Sequence, residues 1–498
     1  MMSTTIGTLD YVVLVVYVAA SVTLGVWFVR EQRTVKDYFL AGQSMNWFVV
    51  AISVIAALFS GISYLGAPTE VFNYDLTYAV TLFSFFVATP IIIFVFLPRF
   101  YRANLYSAYE YLERRFDQQV RTWSSAMFIL RVLFYLALAI YAPSLALASV
   151  TGLPLWFSIA VIGVLTTIYT TLGGMKAVIW TDVMQFFVLV CGQIAIAWVA
   201  MSRIPGGFMG TIDIADAAGK LNFANFDLSL TVRVTFWGAL IGGLFNNLVQ
   251  MGTDQISVQR YLTAKSRAEA VKSLWFKLIV TVPVVIVFYL MGAVLFAFYQ
   301  AHPDRLPMDL EQKDRILPYF VVNELPAGVP GLLVAAILAA TMSTVSSGIN
   351  ALGTASIVDF YQRNLRIPAD PERLLRISKW LTGFYGLLAT ALAFLMPLLG
   401  TLIEATNKIM GMLGGPLLGV FLLGMITKRA TSQGALLGAF MGSLLLAYVV
   451  FNTEVSFLWY ALIGCLATFV LGYLFSLATG EAHPEDWSDE HPTPGVEE

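Results

Sequence analysis

Ser343, Thr344, Ser346, Ser347 and Asn350 crowd into a segment otherwise apolar enough to cross a bilayer. At helical spacing Ser343, Ser346, Ser347 and Asn350 stand at i, i+3, i+4 and i+7 and share one face, with Ala340 and Thr344 on an adjoining stripe. Uncharged oxygens in such a row suit a hard cation such as sodium, which prefers oxygen ligands. The carbonyls of Ala56 and Phe59, at an interruption in another apolar segment, with the carbonyl of Ala340 and the hydroxyls of Ser343 and Thr344, supply five. The competing reading is close helix packing, for which small hydroxyl residues are also used.

A carboxylate is the second chemical signal. Asp182 follows Trp180-Thr181 near the start of an apolar run, and an acid at membrane depth is by default a functional residue. Facing Ser343, Ser346 and Ser347, it would hold a second sodium or one leaving the first site. At a helix start it would equally complement the helix dipole.

These residues need a membrane scaffold to position them, and the composition supplies one. Of 498 residues 58% are hydrophobic and 12% charged, with a mean hydropathy of +0.76, which is a polytopic membrane protein. A net charge of -2 without a long basic run gives no basis for nucleic-acid binding. Cys191 and Cys465 are isolated, and His302, His483 and His491 lie in a loop and the tail, so neither a disulfide framework, a zinc site nor an intramembrane histidine relay is expected. No Lys/Arg-rich leader precedes the first apolar run, which argues against a cleaved signal peptide.

Thirteen apolar runs reach spanning length, at about 9–28, 45–67, 74–99, 121–150, 154–172, 176–200, 232–255, 271–300, 326–360, 375–397, 402–427, 434–451 and 455–478. The alternate loops that begin with Arg30, Arg33 and Lys36 hold 20 of the 29 Lys/Arg and the opposite loops 6, with Arg131, Lys277 and Lys408 left inside spans. The positive-inside rule then puts the N-terminus outside and the C-terminus in the cytoplasm. Serines and glycines interrupt the second run at 53–68, and glycines and asparagines the seventh at 242–250. Each interrupted run heads a block of five, and five is odd, so the second block runs inverted. The expected organisation is a peripheral helix and loop over 1–44, a first repeat over 45–200, an extracellular loop over 201–231, an inverted repeat over 232–428, two peripheral helices over 429–478, and a disordered acidic tail over 479–498.

On five stretches taken in order, the chain resembles the sodium:solute symporter family. They are Ser107 to Phe116, Gly173-Gly174 to Gln185, Asp254 to Leu262, Met342 to Asn350, and Gly414-Gly415-Pro416-Leu417-Leu418-Gly419. The family includes sodium-coupled glucose, iodide, monocarboxylate, multivitamin, proline and sialic-acid carriers on the LeuT-type inverted-repeat fold. The resemblance implies an all-α membrane carrier with Na+ as the coupling ion. Its main sodium site corresponds to Ala56, Phe59, Ala340, Ser343 and Thr344. The additional site of sialic-acid carriers corresponds to Asp182, Ser343, Ser346 and Ser347.

By family position the solute is lined by Ser60, Ser63, Tyr78, Leu82, Tyr135, Asn247 and Gln250. Sialic-acid carriers have an arginine in place of Tyr135 and a glutamine in place of Leu82, so a polyhydroxylated ligand would leave hydroxyls unsatisfied at roughly 1 to 3 kcal/mol each. Lys408, in the outer half, is the cation expected to attract an entering anion, whereas Arg131 is expected to snorkel or pair structurally. With Tyr141-Ala142-Pro143-Ser144-Leu145, which resembles the iodide, monocarboxylate and multivitamin branch, these favour import of a small organic anion such as a monocarboxylate by alternating access at the plasma (inner) membrane. An amino acid, vitamin, sugar or sialic acid is the alternative cargo, and a sodium channel or sensor the alternative class. The expected partners are solute, sodium and lipid, with no nucleic acid and no obligate protein partner. No nucleophile–base pair, carboxylate dyad or metal cluster lies in the spans, so no enzyme is expected.

Overall fold

The computed structural model describes residues 7–27, 34–102, 105–223, 225–306, 313–363, 371–399 and 402–479, and among them every regular element is a helix. Among the described residues eight helices are long and apolar enough to cross a bilayer: Thr77–Arg102, Gln118–Ala148, Gly174–Met201, Arg267–Ala301, Val329–Tyr361, Leu402–Ile426, Ser432–Asn452 and Phe457–Thr479. Trp47–Leu58 and Gly61–Asn73 are long and apolar enough only when taken together, and they are bent by 59° at the break between them. In hydrocarbon every backbone polar group must find an internal partner, and helices provide this within one segment.

Helix 329–361 is the centre of the bundle. Its most apolar window is 89% buried, against 33% for each of the two C-terminal helices, which therefore lie at the periphery. It packs on Leu155–Met201, Gln118–Thr151, Thr8–Trp27 and both halves of the broken helix. Gly174, at φ +59°, ψ −171°, divides Leu155–Met201 at a backbone conformation that only glycine adopts without strain. The chain thereby turns back into the helix that carries Asp182.

The two interruptions differ in kind. Phe59 and Ser60 are extended, so the carbonyls ending Trp47–Leu58 lose their helical donors, and Ser60 caps the next helix by accepting from Ser63 N at 3.4 Å. The expected unwinding at 242–250 is corrected: residues 238–253 stay helical, as a short α-helix between two π-helical turns. The backbone becomes extended only at Asp254, which caps Gln255–Leu262. Glycines and asparagines there widen the helix instead of opening it, a distortion that recurs at functional sites. The expected loop 201–231 contains the helix Gly207–Ala217, and residues 480–498 of the expected tail lie outside the described residues.

Candidate functional site

At the first interruption the broken helix meets the hydroxyl stripe. Ser343 Oγ donates to the carbonyl of Ala56 at 2.8 Å and approaches that of Ala340 at 3.3 Å, and Thr344 Oγ1 is 3.5 Å from the carbonyl of Ala57. All these residues are buried, as is Phe59, the residue at which the helix opens. Three of the expected oxygen sources therefore converge within hydrogen-bonding distance. Thr344 stands over Ala57, the neighbour of the carbonyl expected from sequence.

Asp182 is fully buried with Ser346 and Ser347, eight residues beyond Gly174, too deep for a helix-start carboxylate facing water. Its Oδ2 accepts from Ser53 Oγ at 2.5 Å and from Arg260 Nη2 at 2.9 Å. Arg260 also donates to Ser53 Oγ at 2.9 Å and to Ser347 Oγ. Asp182 and Ser347 thus meet, as expected, but on a guanidinium. Ser346 Oγ turns back to the carbonyl of Ser343 at 3.1 Å, and Ser347 Oγ also donates to that carbonyl. Among the described residues Asp182 Oδ1 and both amide atoms of Gln185, one turn along, have no hydrogen-bond partner, so this pocket keeps oxygens suited to a cation. Sequence reasoning missed Arg260. Its signal was a lone arginine among the polar residues Gln255, Ser257 and Gln259 of Gln255–Leu262, a short helix that is wholly buried.

Beside the interruption lies a cavity of about 200 Å³. Ser60, Ser63, Tyr78, Leu82, Tyr135, Asn247 and Gln250 all line it. Phe85, Asn246, Thr281, Tyr289, Thr406 and Asn407 complete much of its wall, and no charged side chain is among the lining residues. Asn407 Nδ2 donates to Tyr78 Oη at 2.8 Å, Asn246 Nδ2 to Asn407 Oδ1 at 3.2 Å, and Asn247 Nδ2 to Ser84 Oγ at 2.7 Å. Lys408 is the one expected solute residue that does not line it. Ile403, Thr406, Asn407 and Met410 form the cavity face of Leu402–Ile426, and one residue of helical phase carries Lys408 off that face. Arg131 pairs instead of snorkelling, with Nη2 2.8 Å from Asp254 Oδ2 and both side chains buried.

Further charge clusters tie the two ends of the bundle. At one end Arg121 bridges Asp359 and Glu113, each at 2.6 Å, and Ser107 and Ser125 donate to Asp359 at 2.9 Å. At the other, Arg233 grips Glu70 through two bonds of 2.6 and 2.9 Å, reaches Glu404 at 3.1 Å and covers the Tyr74 ring at 4.0 Å. These clusters link helices far apart in sequence. Spacing along the chain gives no sign of them.

The model of the sodium:solute symporter family matches residues 38–442. Human sodium-coupled monocarboxylate transporter 1 is 36% identical over 451 residues, 90% of this chain and 74% of that protein. The sodium/sialic acid symporter NanT of Aliivibrio fischeri is 35% identical over 473 residues, 94% of this chain and 93% of that protein. A solved substrate-bound, outward-open structure of a Na+-coupled sialic acid symporter, with a novel Na+ site, superimposes with a TM-score of 0.91 at 30% identity, covering 96% of this chain and 99% of that one. The family and these relatives are transporters, not enzymes.

Proposed function

The chain belongs to the sodium:solute symporter family, and from that premise we infer that it carries a small organic anion of the monocarboxylate kind into the cell with sodium. The observation that supports this cargo most is the cavity wall. It is uncharged, and it includes Ser60 and Ser63 at the start of helix Gly61–Asn73. A helix N-terminus offers unpaired N–H groups and the positive end of its dipole, which suit a carboxylate and do not require a cation in the wall. A cavity of about 200 Å³ lined by Leu82 and Tyr135 favours a small acid over a polyhydroxylated one.

The main sodium site is assigned to Ala56, Phe59, Ala340, Ser343 and Thr344, and a second to Asp182, Ser343, Ser346 and Ser347. A second sodium would use the free Oδ1 of Asp182 and would compete with Arg260 for the carboxylate. Coupling follows from chain adjacency: Phe59 belongs to the ion and Ser60 to the solute, so ordering the interruption for one prepares it for the other. The membrane potential adds about 2.3 kcal/mol per charge per 100 mV to inward sodium movement.

The architecture completes the reading. We read thirteen spans, in a five-plus-five inverted repeat over 45–200 and 232–428 with one helix before and two after, and the cationic loops support an N-terminus outside and a C-terminus inside. The Arg121 cluster then lies at the cytoplasmic end and the Arg233 cluster at the outer end.

The test is uptake into proteoliposomes of radiolabelled lactate, with pantothenate, glycine, glucose and sialic acid as rivals, with and without a sodium gradient. Sodium-driven lactate uptake is expected, and Ser343→Ala with Thr344→Ala should abolish the sodium dependence. Uptake of another solute alone would overturn the cargo, and intact coupling in the double variant would overturn the site.

A further inference from the structure

Lys277 is fully buried in Arg267–Ala301, and no carboxylate faces it among the described residues. Its Nζ lies 3.9 Å from the centroid of the Phe85 ring and 3.5 Å from Met251 Sδ, and neither can neutralise an ammonium. The acid nearest to Met251 along the chain, Asp254, is committed to Arg131 at 2.8 Å. An unpaired cation inside a membrane protein is costly and marks a route or a partner that arrives from elsewhere.

Geometry says what that partner is. Phe85 lines the solute cavity, and so does Thr281, one turn along from Lys277 on the same helix face. The Phe85 ring therefore stands between the cavity and the ammonium. Trp47 N donates to Glu269 at 3.0 Å, so helix 267–301 begins at the same end of the bundle as the first half of the broken helix, the end assigned above to the cytoplasm. Lys277 is on the cytoplasmic side of the cavity, about 6 Å of helix rise below Thr281.

We propose that Lys277 is a second, inner subsite for the solute carboxylate, closed off from the cavity by the Phe85 ring and occupied on the way to the cytoplasm. The proposal rests on the monocarboxylate reading. It explains why the cavity itself has no cation: a carboxylate bound at the start of helix 61–73 is passed to the Lys277 amine, which the anion holds protonated, only after Phe85 turns aside. The order of sites, neutral donors first and ammonium second, draws an anion inward and leaves a neutral solute without a second stop.

The experiment compares KM for radiolabelled lactate from each face of oriented membrane vesicles, for wild type, Lys277→Met and Lys277→Arg. Sodium-dependent thermal stabilisation first establishes that each variant is folded. Lys277→Met is expected to raise the inner-face KM about tenfold while the outer-face KM moves by less than about twofold, and Lys277→Arg is expected to restore the inner-face value. Equal changes on both faces, or an unchanged inner-face KM, would make Lys277 a structural residue and overturn the subsite alone. A wild type that carries no lactate would overturn the cargo, and the subsite with it.

Discussion

At the scale of single residues, what matters most is how each buried charge is answered. Arg131 and Asp254 answer each other at 2.8 Å, and Arg260 answers Asp182 at 2.9 Å. Breaking such a pair from one side leaves an uncompensated charge and costs about 3–5 kcal/mol, more than the pair contributes while intact. Arg131→Met should therefore lower the thermal midpoint sharply, and Asp254→Asn on that background should recover most of the loss. A midpoint unmoved by the first change would show that water reaches the pair. The hydroxyl stripe was legible in sequence because Ser343, Ser346, Ser347 and Asn350 keep helical spacing. The partners were not, because Arg260 is 78 residues from Asp182 and Asp254 more than a hundred from Arg131.

Among elements, the decisive contact is between the interruption at Phe59–Ser60 and helix 329–361. Gly61 permits it: a Cβ there would fall 2.6 Å from Thr341 Oγ1 and 3.3 Å from Pro143 Cδ. Gly61→Ala must displace Thr341 Oγ1, and where the helices give way instead Ser343 would lose its reach to the Ala56 carbonyl. The expected result is about a five- to tenfold weaker half-saturation for sodium, the worth of roughly one hydrogen bond. Thr341→Ala, which removes the clashing hydroxyl, should restore it in the double variant. Sodium-dependent uptake measures both. Serines and glycines in the second apolar run were enough to locate this interruption. The second interruption was misplaced because glycine and asparagine content does not distinguish an unwound helix from a π-helical one, and only the backbone path moved the break to Asp254.

For the whole molecule, the clusters at its two ends hold together helices far apart in the chain. The Arg233 cluster holds one guanidinium among Glu70, Glu404 and, beside them, Asp314. Asp314 accepts from Leu402 N at 3.3 Å, which favours its charge, but burial outweighs this and the nearby charges of Glu70 and Glu404 add to it, so its carboxyl is pushed up to about 6. A carboxyl raised in the folded state binds a proton that the unfolded chain has released, so its contribution to stability falls as pH rises from about 4 to 6 and is fully unfavourable above that. Lowering pH from about 7.5 to 5.5 should therefore raise the thermal midpoint through this group. Asp314→Asn should raise the midpoint at pH 7.5 and remove that part of the pH dependence, and a variant as pH-sensitive as wild type would exclude Asp314 as the source.

By itself the sequence determined the membrane class, the family and the hydroxyl stripe, and it named seven residues that line one cavity, since apolar run length, helical spacing and motif order are properties of the linear chain. Tertiary structure decided the rest. Lys408 turned away from the cavity by one residue of helical phase, Arg260 entered the Asp182 pocket, and Lys277 came to rest behind Phe85 with no acid to meet it among the described residues. A buried charge is defined by what surrounds it on every side. In a bundle whose contacts join residues tens to hundreds of positions apart, that surrounding exists only once the helices are packed.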